Sequence, residues 1–191
     1  LLAKAIGTTH DIIPIQDLVD AQLSALGHDG KTQDITFENT QARTRTELLF
    51  NRANQVGGLV LGTGDLSELA LGWCTFNGDH MSNYAVNAGI PKTLVRYIVE
   101  TASLNDEFKA AKKILDDILA TPISPELTGN GTLSQETENV IGPYELHDFF
   151  IYHLLRWGAS RTEILALALI AFEGTYTSDV IENWLTVFCK R

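Results

Sequence analysis

Leu59-Val60-Leu61-Gly62-Thr63-Gly64-Asp65-Leu66-Ser67-Glu68 is the stretch that decides the fold. Its three apolar residues read as a short buried strand, closed by Gly62-Thr63-Gly64. A helix follows over 65–73, with Asp65 or Ser67 near its cap. Upstream, 38–55 is rich in helix formers, with Leu48, Leu49 and Ala53 on one side, and Val56-Gly57-Gly58 ends that run. Helix, glycine break, buried strand, glycine turn and helix is the grammar of a βαβ unit with a parallel sheet. An α/β fold is expected.

Working outward, Ile12, Ile13, Pro14 and Ile15 suggest a second short strand, and 17–26 a helix stopped by Gly27, before a polar loop over 30–36. Residues 74–90 look irregular, with Asn77-Gly78, Asn83, Asn87 and Gly89 as turn formers. Pro91 opens a helix over 92–103, and another is expected over 108–119. Pro122, Pro125, Gly129 and Gly131 mark 121–140 as a long loop. Beyond it the pattern is all helix. Leu146, Phe149, Phe150 and Leu154 share one apolar face after Gly142-Pro143, and Gly158 ends that helix. Phe149, Phe150, Tyr152 and Trp157 are expected in the core. Ser160 and Glu163 form a capping-box pattern, and 178–190 is a last helix. The chain is therefore expected to divide into an α/β part, 1–90, and a mainly helical part, 91–191.

A net charge of −10 repels phosphate backbones, so no nucleic acid and no anionic membrane is expected as a partner. A small anionic nucleotide is still allowed, because a local cation and helix N-termini can override the global sign. Cys74 and Cys189 lie far apart, without the spacing of a zinc or redox motif, which fits a reducing compartment. His10, His28, His80, His147 and His153 form no metal-binding pair, and His147 and His153 suit packing or capping. No apolar run reaches the length of a membrane span and no signal peptide is present, so a cytoplasmic location is expected.

In open α/β sheets ligands sit outside the carboxyl ends of the strands. Gly62 and Gly64 allow close backbone approach there, and Thr63 offers a hydroxyl. Glu68 either holds Mg²⁺ beside bound phosphates or stabilises the helix dipole. Asn39 and Arg43 share a helix face, which is either a binding face or a solvated one with an Arg43–Glu47 pair. Lys92 follows Pro91 and so places an ammonium at the positive end of a helix, a cost of about 0.3–1 kcal/mol when exposed. A bound phosphate would reverse that cost. On this reading Lys92→Ala leaves folding stability unchanged or slightly improved.

The string from Gly62 to Thr75, followed by Gly78-Asp79-His80-Met81-Ser82, Val86-Asn87-Ala88 and Pro91-Lys92-Thr93-Leu94-Val95, resembles the NAD⁺ synthetase family. Glu38-Asn39-Thr40-Gln41-Ala42-Arg43 resembles the family's preceding helix, and Gly142-Pro143-Tyr144-Glu145-Leu146-His147-Asp148-Phe149 its glutamine-dependent branch. The resemblance implies an adenine nucleotide alpha hydrolase-like, Rossmann-like fold with a helical C-terminal part. It implies ATP- and Mg²⁺-dependent adenylation of deamido-NAD⁺, then amidation by ammonia drawn from glutamine, in a homo-oligomer.

By the same resemblance Thr63 and Lys92 contact ATP, and Lys92 and Glu68 serve catalysis. Glu68 holds Mg²⁺ or touches the dinucleotide. Asn39, Glu68, Trp73, Cys74, Thr75, Phe76 and Asp79 bind deamido-NAD⁺, with Phe76 standing where a Tyr is frequent. The family's SGGxDS phosphate loop does not occur in the 191 residues, and the chain opens Leu1-Leu2-Ala3-Lys4 without an initiator Met. A piece of a longer ligase is therefore expected, one that makes no NAD⁺ by itself. The rival readings are another adenylating amidotransferase of the same fold and a folded, non-catalytic association module.

Overall fold

The computed structural model describes residues 1–78, 80–121 and 137–191; Asp79 and most of the loop expected over 121–140 lie outside the described residues. After a single helical turn, α1 (Leu2–Ala5), residues 8–15 are irregular. The strand expected at Ile12 to Ile15 does not form: Ile12 is 87% exposed. Pro14 has no N–H to give a ladder, and Arg52 instead ties this segment to the next long helix through Asp11 at 2.7 Å. Helix α2 (Gln16–Ala25) packs Val19 and Leu23 inward against α3 (Ile35–Val56). Asp34 caps α3 by accepting from the Phe37 N–H at 2.9 Å, and Gly57, at φ +66°, ends it. Both bounds agree with the sequence pattern to within a turn.

Strand β1 (Leu61–Gly62) pairs in parallel with β2 (Tyr84–Ala85), Leu61 opposite Tyr84 and Gly62 opposite Ala85. The parallel sheet is as expected, but among the described residues it has two strands, so β1 is not central. Val60 is buried whereas Leu61 is 60% exposed, an alternation that replaces the continuous buried run. Strand β2 falls in the segment expected to be irregular. Asn83 carries it: its side chain accepts from the Val60 N–H at 2.8 Å, and the Val60 carbonyl accepts from Asn83 and Tyr84 N–H. A Cβ on Gly62 would lie 2.5 Å from Ser82 Oγ, so any side chain there would force Ser82 to shift.

Helix α4 (Leu66–Leu71) starts at Asp65 and ends at Gly72, and α5 (Lys92–Ser103) starts just after Pro91. A 3₁₀ segment (Asp106–Ala111) leads into α6 (Lys112–Ala120), and both pack on α5. The end of the expected long loop is helical, as α7 (Thr137–Ile141). Next come α8 (Tyr144–Trp157), α9 (Arg161–Ala171) and α10 (Ser178–Lys190). The capping box of Ser160 and Glu163 is formed as read. Leu146, Phe150, Ile164, Ala168, Phe172, Ile181 and Leu185 make the core that α8, α9 and α10 share. Phe150 and Phe149 join it, but Tyr152 and Trp157 do not; Trp157 is 66% exposed. The inward side of α8 is filled by Leu146, Phe150 and Ile151, which turns Tyr152, Leu154 and Trp157 outward.

Helix α8 also meets α4 and α5, so it joins the helical layer to the strand turn. His147 sits on this helix, fully buried, among Phe150, Trp184 and Phe188. Its Nε2–H donates to the Ile141 carbonyl at 2.6 Å, which fixes the tautomer, and Nδ1 has no partner among the described residues. It is a packed residue, one of the two roles expected for it. Burial pushes its pKa down, and outweighs the opposing pull of the Ile141 carbonyl and Asp148. A histidine held neutral by the fold takes up protons more readily when unfolded. Stability is therefore full above the ordinary value of 6.5 and is lost as pH falls below it. Urea melts at about pH 7.5 and about pH 5.5 should show His147→Gln losing less stability than the parent over that interval. Equal losses would mean that His147 does not titrate with unfolding.

Candidate functional site

Helices α4 and α5 begin side by side beyond the carboxyl end of β1. The Leu66 N–H donates to the Ile90 carbonyl at 3.0 Å and the Lys92 N–H to Ser67 Oγ at 2.8 Å. Asp65 and Glu68 close a capping box: Asp65 Oδ1 accepts from the Glu68 N–H at 3.0 Å, and Glu68 Oε2 from the Asp65 N–H at 3.1 Å. Each carboxylate has one oxygen left, and both point at the same cation. Lys92 Nζ is 2.7 Å from Asp65 Oδ2 and 2.6 Å from Glu68 Oε1.

This pairing answers the mismatch between Lys92 and its helix dipole without any phosphate. Asp65, 2% exposed, is a buried carboxylate with an ammonium against it. The expectation that Lys92→Ala is neutral for folding accordingly fails, because removing the cation would strand that charge. Burial alone would lower the Lys92 pKa, but hydrogen bonds and charge from Asp65 and Glu68 outweigh it and hold the pKa above its ordinary 10.5. Lys92 is thus a fixed cation and not a base. Tyr144 covers it, with Nζ 5.6 Å from the ring centroid. Burial and then the negative charges of Glu68 and Asp65 raise the phenol pKa, so Tyr144 stays protonated.

Beneath the cluster lies Asp148 of α8, a residue with no role assigned from the sequence. Its Oδ1 accepts from the Ser67 hydroxyl, and its Oδ2 accepts from the Thr93 N–H at 2.8 Å and the Thr93 hydroxyl at 2.7 Å. The signal was present: Tyr144, Asp148 and Ile151 share a face of α8, and a carboxylate on an inward face needs partners.

Thr63 is exposed directly after β1, and Glu68 lies in the first turn of α4, both as expected. Trp73 follows the Gly72 cap, joined to Glu68 by an N–H to carbonyl bond of 2.9 Å, and Arg191 stacks over its ring at 5.7 Å. Cys74 and Thr75 are half-buried, while Phe76 is 75% exposed. The turn after Trp73 lies against α3: a Cβ on Gly78 would be 3.1 Å from Ala42 Cβ, one turn beyond Asn39. The 73–78 turn thus lies against α3, the helix that carries Asn39, and follows directly on α4 of the Lys92 cluster. Asp79 lies outside the described residues.

A Mg²⁺ site needs several hard oxygen ligands around one vacant centre. Glu68 and Asp65 offer hard oxygens, but an ammonium already sits between them, and the described residues hold no group of three or more potential ligands. As placed, these side chains do not make a Mg²⁺ site.

The parallel strand turn opening onto paired helix N-termini, with a locked cation beside them, belongs to an α/β fold of the adenine nucleotide alpha hydrolase-like class. The sequence model of the NAD synthase family matches residues 1–183, and the chain belongs to that family. The glutamine-dependent NAD(+) synthetase of Mycobacterium tuberculosis H37Rv is 41% identical over 214 aligned residues, covering 100% of this chain and 31% of that protein. This chain therefore spans about a third of the length of the curated relatives it matches. The crystal structure of a glutamine-dependent NAD(+) synthetase from Cytophaga hutchinsonii superposes with a TM-score of 0.70 at 21% identity, over 98% of this chain and 29% of that one. An Acinetobacter baumannii glutamine-dependent NAD+ synthetase in complex with ADP superposes with a TM-score of 0.54 at 26% identity, over 97% of this chain and 30% of that one.

Proposed function

We propose that this chain forms part of the ligase site of a glutamine-dependent NAD⁺ synthetase. That site amidates deamido-NAD⁺ with ATP and with ammonia released from glutamine. The observation that carries the reading is the Lys92 ammonium locked by Asp65 and Glu68 at the turn after β1. Family membership and the ADP-bound relative support nucleotide use.

In the proposed reaction a carboxylate oxygen of deamido-NAD⁺ bonds to the α-phosphorus of ATP and pyrophosphate leaves. Ammonia then attacks the acyl carbon, the bond to AMP breaks, and the surplus proton passes to solvent. Lys92 faces the phosphates as charge builds on pyrophosphate, with Thr63 as a hydroxyl donor, and Glu68 keeps Lys92 aimed. Asn39, Trp73, Cys74, Thr75, Phe76 and Asp79 hold the dinucleotide, Trp73 with a stacking face. Mg²⁺ enters with the phosphates that carry it, and no step here is assigned to it. A cytoplasmic homo-oligomer belongs to the same proposal; no described helix is long and apolar enough to cross a membrane.

Positioning and charge do most of the work in such a site, and the SGGxDS phosphate loop is not among these 191 residues. The full-length protein given ATP, Mg²⁺, ammonia and deamido-NAD⁺ should release AMP and NAD⁺ together, and a polypeptide of these residues alone should release neither. Steady AMP release by the short polypeptide, dependent on both ammonia and deamido-NAD⁺, would overturn the second expectation. No NAD⁺ from the full-length protein would overturn the first.

A further inference from the structure

Asp148 is a buried carboxylate beside the Lys92 cluster, yet its hydrogen bonds go neither to Lys92 Nζ nor to the strand turn. It lies on α8, far in sequence from the helices it holds. Its partners are the Ser67 hydroxyl of α4 and both the N–H and the hydroxyl of Thr93 in α5. Ser67, itself fully buried, passes the connection on by accepting the Lys92 N–H at 2.8 Å. Pro91 at the N-cap has no N–H, so α5 starts with three free N–H groups, and two of them, those of Lys92 and Thr93, end on one Ser67–Asp148 pair. Ser67 is followed by Glu68, and Thr93 is preceded by Lys92.

A carboxylate placed for capping alone needs one helix. This one takes two, and those two carry the opposite halves of the Lys92–Glu68 pair. A shift of either helix start would move a flexible ammonium away from a carboxylate 2.6 Å off. We propose that Asp148 is a positioning residue: it fixes the starts of α4 and α5 relative to each other and so sets where the Lys92 ammonium stands for catalysis. The role rests on the ligase reading given above. Burial of Asp148 beneath the cluster, with every contact directed at backbone or hydroxyl donors, separates it from a substrate ligand.

The test uses the full-length protein with Asp148→Asn, Thr93→Val and Thr93→Ser. AMP release is measured per folded molecule, and amide hydrogen exchange is followed at residues 92–93 and along α8. Asp148→Asn should lower kcat about tenfold or more with KM for ATP nearly unchanged, since misplacing a catalytic cation costs rate more than ground-state binding. Thr93→Val should lose a smaller factor in the same direction, and Thr93→Ser, which keeps the hydroxyl, should match the parent. Amides 92–93 should exchange faster in Asp148→Asn while Phe150 and Ile151 stay protected. Parental kcat in Asp148→Asn, or loss of protection through all of α8 with kcat per folded molecule unchanged, would make Asp148 merely structural. A parent that releases no AMP would refute the ligase reading instead, and exchange at 92–93 then decides by itself. Unaltered exchange there in Asp148→Asn overturns the positioning role.

Discussion

Lys92→Ala in the full-length protein should lose stability and turnover together. The stability loss follows from Asp65, a buried carboxylate whose side chain is left without its cation, at a cost of about 2–3 kcal/mol. Glu68 adds less, because its side chain is 25% exposed and retains its capping bond to the Asp65 N–H. The turnover loss follows from the proposed contact with the departing pyrophosphate and should be about 10²–10³-fold. Lys92→Arg should restore much of the stability and only part of the rate, since a planar fork does not reproduce a compact ammonium between two carboxylates. Thermal melting read beside AMP release separates the halves. Normal turnover with a lowered melting point would leave Lys92 a structural residue. Parental melting with turnover lost would show that Asp65 tolerates solitude.

Gly142→Ala is the second large effect, and it arises from backbone and packing rather than from charge. Gly142 turns the chain from α7 into α8 at φ +97°, and a Cβ there would lie 2.5 Å from Cε3 of Trp184. Strain at a left-handed position and collision with a packed ring add up to about 3–5 kcal/mol. Gly158 provides the control. It too has a positive φ, +63°, but nothing lies within 4 Å of its would-be Cβ, so Gly158→Ala should cost about 1 kcal/mol. Chemical denaturation of both variants gives the comparison. Equal costs would mean that Trp184 moves aside and that the α7–α8 corner is not rigidly packed.

The sequence made the helices legible where a cap or a glycine stop marks an end. Gly57 after α3, Gly158 after α8, Asp65 before α4 and the Ser160–Glu163 box before α9 are such cases, because these signals act within one turn of chain. The strands were less so. Ile12 to Ile15 has the composition of a strand but no partner ladder, while Tyr84–Ala85 forms one because Asn83 and Tyr84 reach Val60. Pairing is a property of two distant segments, and local pattern does not contain it.

The site divides in the same way. Glu68 and Lys92 were each visible, Glu68 from a glycine turn and Lys92 from its clash with a helix dipole. Their direct contact was not, and it reverses the stability expected of Lys92→Ala. Asp65 was visible as a cap but not as the second carboxylate on that ammonium. Asp148 acts across 55 residues of chain or more, at a range where spacing says nothing. Tyr152 and Trp157 show the converse error, in which aromatic character was taken for burial.

The most direct test of the account follows an oxygen atom. Deamido-NAD⁺ labelled with oxygen-18 in its nicotinate carboxylate is given to the full-length protein with ATP, Mg²⁺ and ammonia, and the products are weighed by mass spectrometry. Adenylation of that carboxylate leaves one labelled oxygen in AMP and one in the amide of NAD⁺. Label absent from AMP, or found in pyrophosphate, would contradict carboxylate attack at the α-phosphorus and with it the role proposed for the Lys92 site.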